Sequence, residues 1–512
     1  MQHVMQSADL KKAVVDSLSN PSEDIARSVL SAAGVDPNSI EKSISTATGL
    51  VAYDLQAPAK NLFPAATPIR NRLPRVGGGV GAATNWKTIT GLSGSGFDSI
   101  GWVPEGQRAG QMNYVAADRA ALYRTIGEED SATFEAINAG KSFEDVQATM
   151  SIRLLQKTML KEEMALLGGN NSLALGAPAA PTLAAAGTGA SLPAATYSVI
   201  VVALSIEGFK HSSLAGGVAT TKTVTGADGK TFTLNGGSSN RSANATQAVT
   251  SGQTLAATVA PVVGAVGYAW FVGLAGAEKL EAITTINSAV FAAPLAGTGQ
   301  PASAVSADCS TNATAFDGLL TTALKAGSGA YVKSLSAGAA GVGTTLTASG
   351  RGSVNEIDDM LQAMWDASQV SPTVLYVNSQ QLRNITDKCL STGTSSLLQY
   401  YQAPADGGYQ MTASGMIDFY YNPFLLDGGV KIPIKIHPNL PPGTILGWCE
   451  DLPLQYQNSE TPNVAEVKVR QDYYQIDWPI TTRQRQKGVY AEETLAVYAP
   501  FAVGVITNIA KG

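Results

Sequence analysis

The middle of the chain differs sharply from its flanks. From Ala177 onward, short segments rich in β-branched and aromatic residues alternate with Gly, Asp-Gly and Asn-Gly turns, which is typical of a β-sandwich. Residues 175–308 contain only five basic and five acidic side chains. Helix-forming sequence lies on both sides of this stretch. We therefore expect an all-β domain placed inside a chain of mixed α and β structure.

The segment before it predicts an extended arm. Four prolines fall between Ala57 and Pro74, a density that prevents a packed element from forming. No acidic residue occurs between Asp54 and Asp98, whereas five basic residues do. These candidates for a basic arm are Lys60, Arg70, Arg72, Arg75 and Lys87. They form either a solvated basic loop or an arm that contacts a neighbouring subunit or packaged DNA.

Residues 75–124 predict a long two-stranded hairpin. The stretches TNWKTITGL and AALYRTIGEED carry β-forming residues, with glycine turns around them. A hairpin of this length is marginal by itself in water, so it needs a partner surface.

The clearest helix is expected to begin at Ser142, with Asp145 completing a capping box. Gly168-Gly169 suggests a left-handed C-cap, giving a helix of roughly 40 Å. The acidic pair Glu162-Glu163 is interpreted as part of its solvated face. The predicted core face consists of Val146, Met150, Leu154, Leu155 and Met159.

Beyond residue 350 the pattern alternates between helix and strand. Ser353 and Glu356 suggest a second capping box, and Pro372 is expected to end the helix that follows. A buried strand and another helix come next. VAEVKVRQDYYQIDWPI (464–480) and ETLAVYAPFAVGVITNI (493–509) predict long strands.

Residues suited to catalysis are scarce. The three histidines and three cysteines lack ligand spacing, and the chain contains no Walker or nucleophile-elbow motif. The pairs Glu128-Glu129, Asp358-Asp359 and Glu492-Glu493 are interpreted as solvated. We therefore expect no enzyme, no metal and no cofactor. A net charge of −6 disfavours a general nucleic-acid binder. No apolar run is long enough for a transmembrane helix.

The order of these elements resembles the major capsid protein of tailed bacteriophages, a Hong Kong-type fold shared with herpesvirus shells and encapsulins. Two stretches are similar in detail: Ile357 to Ile385, with its helix, Ser371-Pro372 and buried strand, and Glu492 to Ile509, with Pro500-Phe501-Ala502 before the closing strand. The sandwich resembles immunoglobulin and fibronectin type III modules.

This resemblance implies an α+β capsid fold plus an inserted all-β sandwich. The implied divisions are an N-terminal arm (1–74), an extended hairpin loop (75–125), a peripheral domain with a long spine helix (126–174), the sandwich (175–308), a peripheral return (309–352), an axial domain (353–463), long peripheral strands (464–498) and a closing axial strand (499–512).

The resemblance also implies a function. Many copies would form the hexamers and pentamers of an icosahedral shell around the phage genome, assembled in the host bacterial cytoplasm. Implied partners are a separate scaffolding protein, a portal, packaged DNA and a decoration protein, without a membrane. Because Met1 is present, we expect no maturation cleavage. Relatives with a Lys–Asn crosslink place a lysine in the loop that contains Lys87, but nothing selects its partner.

Two alternatives stay open. One is an encapsulin-like cage that holds cargo enzymes. The other is a carbohydrate-binding or adhesive β-protein, whose sugar-stacking residues would be Tyr197, Tyr268, Trp270 and Phe271. Core positions are the favoured interpretation of these four aromatics.

Overall fold

The computed structural model describes residues 63–93, 102–141, 144–350, 352–391, 400–402, 409–411, 417–425, 428–453, 456 and 463–511. Most of the predicted N-terminal arm, including Lys60, and the predicted helix start at Ser142 lie outside these residues.

The described residues contain six α-helices: α1 (Phe134–Gly140), α2 (Val146–Gly168), α3 (Ile206–His211), α4 (Leu319–Leu324), α5 (Asn355–Ser368) and α6 (Ser379–Ser391). The strands are β1 (Arg75–Val76), β2 (Ala83–Ser93), β3 (Asn113–Leu122), β4 (Arg124–Thr133), β5 (Thr182–Ala186), β6 (Ala195–Leu204), β7 (Thr221–Thr225), β8 (Thr231–Asn235), β9 (Ala245–Val249), β10 (Thr254–Thr258), β11 (Gly267–Gly273), β12 (Lys279–Thr284), β13 (Ser288–Phe291), β14 (Tyr331–Ser334), β15 (Val374–Val377), β16 (Tyr400–Gln402), β17 (Tyr409–Met411), β18 (Phe419–Asn422), β19 (Val430–Ile436), β20 (Ile445–Trp448), β21 (Ala465–Asp477), β22 (Gln484–Val497) and β23 (Val503–Thr507).

Sheet I, in the order β1-β21-β22-β4, is built on the two predicted long strands. β1 joins it in parallel, with Arg75 opposite Val467, and the other pairings are antiparallel. Helix α2 packs across this sheet through Met150 and Leu154, which share a buried cluster with Ala132 and Val489. The helix therefore has one face against sheet I.

Both ends of α2 differ from the prediction. The N-cap is Asp145, whose side chain accepts hydrogen bonds from the backbone N–H groups of Gln147 and Ala148. At the other end Gly169 is extended, with φ −54° and ψ 140°, so the predicted left-handed cap is wrong. Glycine is needed there for space, because an added Cβ would lie 2.5 Å from the carbonyl oxygen of Phe316. At 23 residues the helix is about 35 Å long.

Sheets II (β13-β10-β5) and III (β12-β11-β6-β9) enclose a common buried cluster, an arrangement compatible with the predicted sandwich. Side chains on β6 and β11 alternate between two faces. Tyr197, Tyr268 and Trp270 lie in the cluster shared with sheet II, and Phe271 lies in a second cluster on the other face of sheet III. All four aromatics are buried, which confirms the core interpretation and leaves none for sugar stacking.

The region of sheets II and III is joined to the rest of the fold by shared core. Ile206 and Val266 belong to the same cluster as Leu166 of α2 and Trp448 of β20. A buried polar contact adds to this, since the side chains of Asn287 and Asn508 bond to each other at 2.7 Å. The two parts thus share one interior.

Sheet IV has the order β14-β23-β20-β15-β19-β18 and packs against α5 and α6 through a third cluster that contains Ile357, Leu361 and Ile385. Helix α5 begins after Val354 without a side-chain cap, so the capping box predicted from Ser353 and Glu356 is wrong. Glu356 accepts from the Thr347 backbone instead, and Ser353 donates to Asp358. The helix ends at Ser368, before Pro372, with Gln369 left-handed at φ 53°.

Candidate assembly site

The predicted hairpin is formed by β2 and β3, which pair from Ala83–Leu122 to Ser93–Asn113 with a bulge between Ile89 and Gly91. Residues 94–101 lie outside the described part. The hairpin is rooted on the sheet I side, where Trp86 contacts the Tyr498 ring edge-on at 5.4 Å. Gly79, next to the root, donates its backbone N–H to the Val469 carbonyl at 3.1 Å.

Along the hairpin and its connecting loop, large apolar side chains face solvent. Ile89 is 65% exposed, Leu92 71% and Trp102 77%. The other exposed members of the set are Val103, Met112, Tyr114, Val115 and Leu122. A concentration of exposed large apolar side chains on one element marks an interaction site more often than a solvent-facing one.

The basic-arm candidates separate in the structure. Arg70 and Arg75 meet at one cluster of acids, where Arg70 Nε lies 2.7 Å from Glu162 Oε2 and Arg75 Nη2 lies 2.9 Å from Glu493 Oε2. Arg72 pairs with Glu450 elsewhere. Lys87 stands on the hairpin, 76% exposed and 3.7 Å from Asp118.

Helix α2 carries two acidic residues whose environment differs from the prediction. Glu162 and Glu163 were predicted to be solvated, but they are 1% and 0% exposed, so that prediction is wrong. Glu163 accepts hydrogen bonds from the backbone N–H groups of Ile69 and Arg70 at 3.0 and 2.7 Å. Its partners lie more than 90 residues away in sequence, so helical periodicity cannot predict them.

His437 completes this arrangement. Its Nε2 lies 2.6 Å from Glu163 Oε1, and both side chains are fully buried. The Nδ1 atom accepts the backbone N–H of Asn439 at 3.1 Å, which leaves the ring proton on Nε2 to be donated to Glu163. The contact between His437 and Glu163 has a structural role, because every polar atom of these two side chains already has a partner inside the chain.

The acidic pairs behave differently from one another. Glu493 is 0% exposed, so the prediction of a solvated pair is wrong for this residue. Burial raises the pKa of Glu493 to about 8, and the nearby Glu162 charge adds to the effect. Its neighbour Glu492 pairs with Arg470 at the surface. Glu128 and Glu129 are half-buried, and Asp359 is exposed beside Lys333.

Asp358 is half-buried and bonds to the Tyr420 hydroxyl, and burial raises the pKa of that tyrosine.

The residues of the predicted core face of α2 differ in how deeply they are buried. Met150 and Leu154 are buried, whereas Val146, Leu155 and Met159 are half-buried.

Within the described ranges no group of three or more His, Cys, Asp or Glu side chains is placed to hold a metal ion. None of the described helices is long and apolar enough to cross a membrane.

Comparison with known proteins gives one sequence match. Residues 278–510 match the family described as SU10 major capsid protein. No curated protein is similar to the chain in sequence.

Solved capsid and encapsulin structures align with most of the chain at low similarity. The encapsulin of Synechococcus elongatus PCC 7942 is 9% identical, with 91% of this chain and 95% of that chain covered and a TM-score of 0.37. The capsid of a native GTA particle is 9% identical, with 92% and 99% covered and a TM-score of 0.39. The capsid of Myoviridae phage XM1 is 8% identical, with 91% and 99% covered and a TM-score of 0.39.

The family match confirms the predicted class: the chain is a structural protein of a capsid shell. More closely, residues 278–510 are similar to an SU10-type major capsid protein, in agreement with the predicted resemblance to tailed-phage capsid proteins. The match also favours a virion shell over an encapsulin-like cargo cage.

Proposed function

We propose that many copies of this chain close into an icosahedral shell around a phage genome, with the β2–β3 hairpin binding a neighbouring copy. The observation that carries the proposal is the set of exposed apolar side chains on that hairpin and its connecting loop, of which Ile89, Leu92 and Trp102 are among the most exposed. The subunits would be arranged as hexamers and pentamers, and their role is structural rather than enzymatic.

The energetic argument follows from burial. Moving one large apolar side chain from water into an interface contributes about 1.5–3 kcal/mol. A hairpin with eight such residues can therefore stabilise a contact strongly, while a two-stranded ribbon by itself is marginal in water. Repeated around each subunit, contacts of this kind favour closed assemblies of identical copies.

Replacing Leu92 with aspartate tests the hairpin contact. Leu92 is 71% exposed, so the subunit should fold normally, but a buried charge at the interface should prevent closed shells. The measurements are circular dichroism of the purified subunit and electron microscopy under assembly conditions. We expect shells from the unaltered chain and unassembled subunits from Leu92→Asp.

Leu214→Asp is the matched control, because Leu214 is 54% exposed in the loop after α3, away from the hairpin. Shells should still form from this variant. If both variants assembled equally well, the hairpin would not be the assembly contact.

The basic residues support a narrower version of the arm proposal. Arg70 and Arg75 are paired with acids of their own chain. We therefore propose that Lys87, which is 76% exposed, contacts a neighbouring subunit or packaged DNA. Arg72 is a secondary candidate for this contact. Screening by salt should weaken such exposed contacts.

The remaining proposals concern partners and place. We propose assembly in the host bacterial cytoplasm with a separate scaffolding protein, a portal and a decoration protein. The sandwich, with the exposed β7–β8 hairpin, is proposed to be displayed on the outer surface of the shell. We also propose that the chain is divided into domains at the boundaries predicted from the sequence.

A further inference from the structure

Residues 67–76, here called the strap, connect the segment before residue 67 with the glycine-rich root of the β2–β3 hairpin. The strap makes one helical turn, closed by the Leu73 N–H on the Ile69 carbonyl at 3.1 Å. Ile69 is fully buried. The strap then becomes β1, and the Val467 N–H bonds to the Pro74 carbonyl at 2.9 Å.

Two acids of α2 and one of β22 hold the strap. Glu163 binds its backbone, as described above. Glu162 binds the side chains of the strap, with Arg70 Nε at 2.7 Å and with Arg75, and it also accepts a hydrogen bond from the Tyr473 hydroxyl of β21. Both guanidinium groups also lie over the Tyr473 ring, at 5.3 and 5.0 Å from its centroid.

Arg75 bridges three acids. It contacts Glu162 through Nη1, and its Nη2 lies 2.9 Å from Glu493 Oε2 and 2.7 Å from Asp472 Oδ1. Two buried atoms in this bridge have no hydrogen-bond partner: Arg75 Nε and Glu493 Oε1. The bridge therefore leaves one nitrogen of Arg75 and one oxygen of Glu493 unpaired.

The charges of the cluster do not balance when all of its acids are ionised. Glu162, Glu163 and Glu493 are buried, against the two guanidinium groups of Arg70 and Arg75. The other groups that face the cluster do not remove the excess. Asp472 adds a partly exposed negative charge, and His437 is already bound to Glu163. Arg124, opposite Glu493 on β4, directs its Nε to the Ala315 carbonyl.

One proton resolves this imbalance. The buried Glu162 and Glu493 carboxylates both contact the guanidinium group of Arg75, and two ionised carboxylates held there repel each other. A proton on Glu493 removes the excess negative charge. Its loss would leave two buried carboxylates facing each other across a single guanidinium group.

We propose that Glu162, Glu493 and Arg75 form a proton-dependent clamp that holds the strap against α2 and sheet I. The clamp is closed when Glu493 carries a proton and weakens when that proton leaves in mildly alkaline solution. Because the strap leads directly into the β2–β3 hairpin, the clamp also controls how firmly the hairpin is anchored. This inference rests on contacts within one chain and does not depend on shell assembly.

The direction of the pH effect follows from linkage. The folded-state pKa of Glu493, about 8, lies above the ordinary value of 4.5. The protonated group therefore contributes stability that is fully present below 4.5 and is lost as the pH rises through about 8. Opening of the strap should thus become about tenfold more frequent between pH 7 and pH 9.

Hydrogen–deuterium exchange of the full-length unassembled chain tests the clamp. The quantity measured is the protection of strap peptides at pH 7, 8 and 9, divided by the intrinsic exchange rate at each pH. In the unaltered chain, protection of residues 67–76 should fall about tenfold over this range. A peptide covering β11, which is buried in the sandwich, should keep constant protection.

Glu493→Gln separates the proposal from general alkaline loosening, because glutamine keeps the shape and cannot ionise. The strap of this variant should stay protected from pH 7 to pH 9. Glu492→Gln, one residue away and paired with Arg470 at the surface, is the matched control and should keep the tenfold dependence. A strap protected equally at all pH values in the unaltered chain, or an undiminished pH dependence in Glu493→Gln, would overturn the proposal.

Discussion

Glu162 and Glu163 are consecutive residues of α2, yet they hold different parts of the molecule. Glu162 faces Arg75 and Tyr473 on the sheet I side, and Glu163 faces His437 and the strap backbone. Helical periodicity separates adjacent residues by about 100°, so it favours only one of them as buried. Both are buried because the strap and β19–β20 region cover a second face of α2.

Glu163→Ala should be strongly destabilising. The change leaves three donors, two of them buried and one partly buried, without an acceptor: the backbone N–H groups of Ile69 and Arg70, and Nε2 of His437. Removing one partner from a buried charged network costs about 3–5 kcal/mol. Urea denaturation of the unassembled subunit measures the loss in the free energy of unfolding.

Arg153→Ala on the exposed face of the same helix is the control and should change stability by less than about 0.5 kcal/mol. Equal stability of the two variants would contradict the structural role assigned to Glu163.

At the scale of elements, periodicity and turn residues predicted α2, the β2–β3 hairpin and the long strands β21 and β22. Their termini were predicted less well. The side chains of Ser353 and Glu356 have tertiary partners that compete with the capping box, and Gly169 is required by a neighbouring backbone rather than by its own φ angle. Local sequence does not encode such distant partners.

Gly169→Ala should destabilise the end of α2. Its φ of −54° suits alanine, but the new Cβ would lie 2.5 Å from the Phe316 carbonyl oxygen and 2.8 Å from that of Ala165. Overpacking against rigid backbone costs about 1–3 kcal/mol. The melting temperature of the unassembled subunit should fall accordingly.

Gly91→Ala provides the comparison, since nothing lies within 4 Å of its added Cβ. This variant should melt close to the unaltered chain. A matching fall in both variants would show that the close approach at Gly169 relaxes without cost.

At the scale of the whole molecule, the change of composition near residue 177 precedes the run of strands from β5 to β13, but it does not reveal how firmly that region is attached. Ile206 and Val266 belong to the main core, and Asn287 bonds to Asn508. Composition reports which residues a segment contains, whereas attachment depends on which surfaces meet. The sandwich is therefore integral to the folded subunit rather than an independent attachment.

Deleting residues 177–306 should prevent correct folding. The deletion removes Ile206 and Val266 from the main core and leaves the buried Asn508 amide without Asn287. Solubility and circular dichroism of the purified subunit are the measurements, and we expect aggregated material.

Deleting only residues 221–235 is the control, because it removes the exposed β7–β8 hairpin and the flanking Thr220 and Gly236 already share a 2.9 Å hydrogen bond. That shortened chain should fold. Normal folding after the larger deletion would show that the sandwich is dispensable.

Strand β23 has a consequence for biosynthesis. It lies inside sheet IV, between β14 and β20, and all five of its residues are buried. Its partner β14 ends at Ser334, so translation must continue through Thr507 before the two can meet. At about 5–20 residues per second this interval lasts roughly 10–35 s. During it the edge of β14 stays unpaired, as does the edge of β20 once residues 445–448 have been made, so we expect the nascent subunit to bind chaperones until β23 emerges.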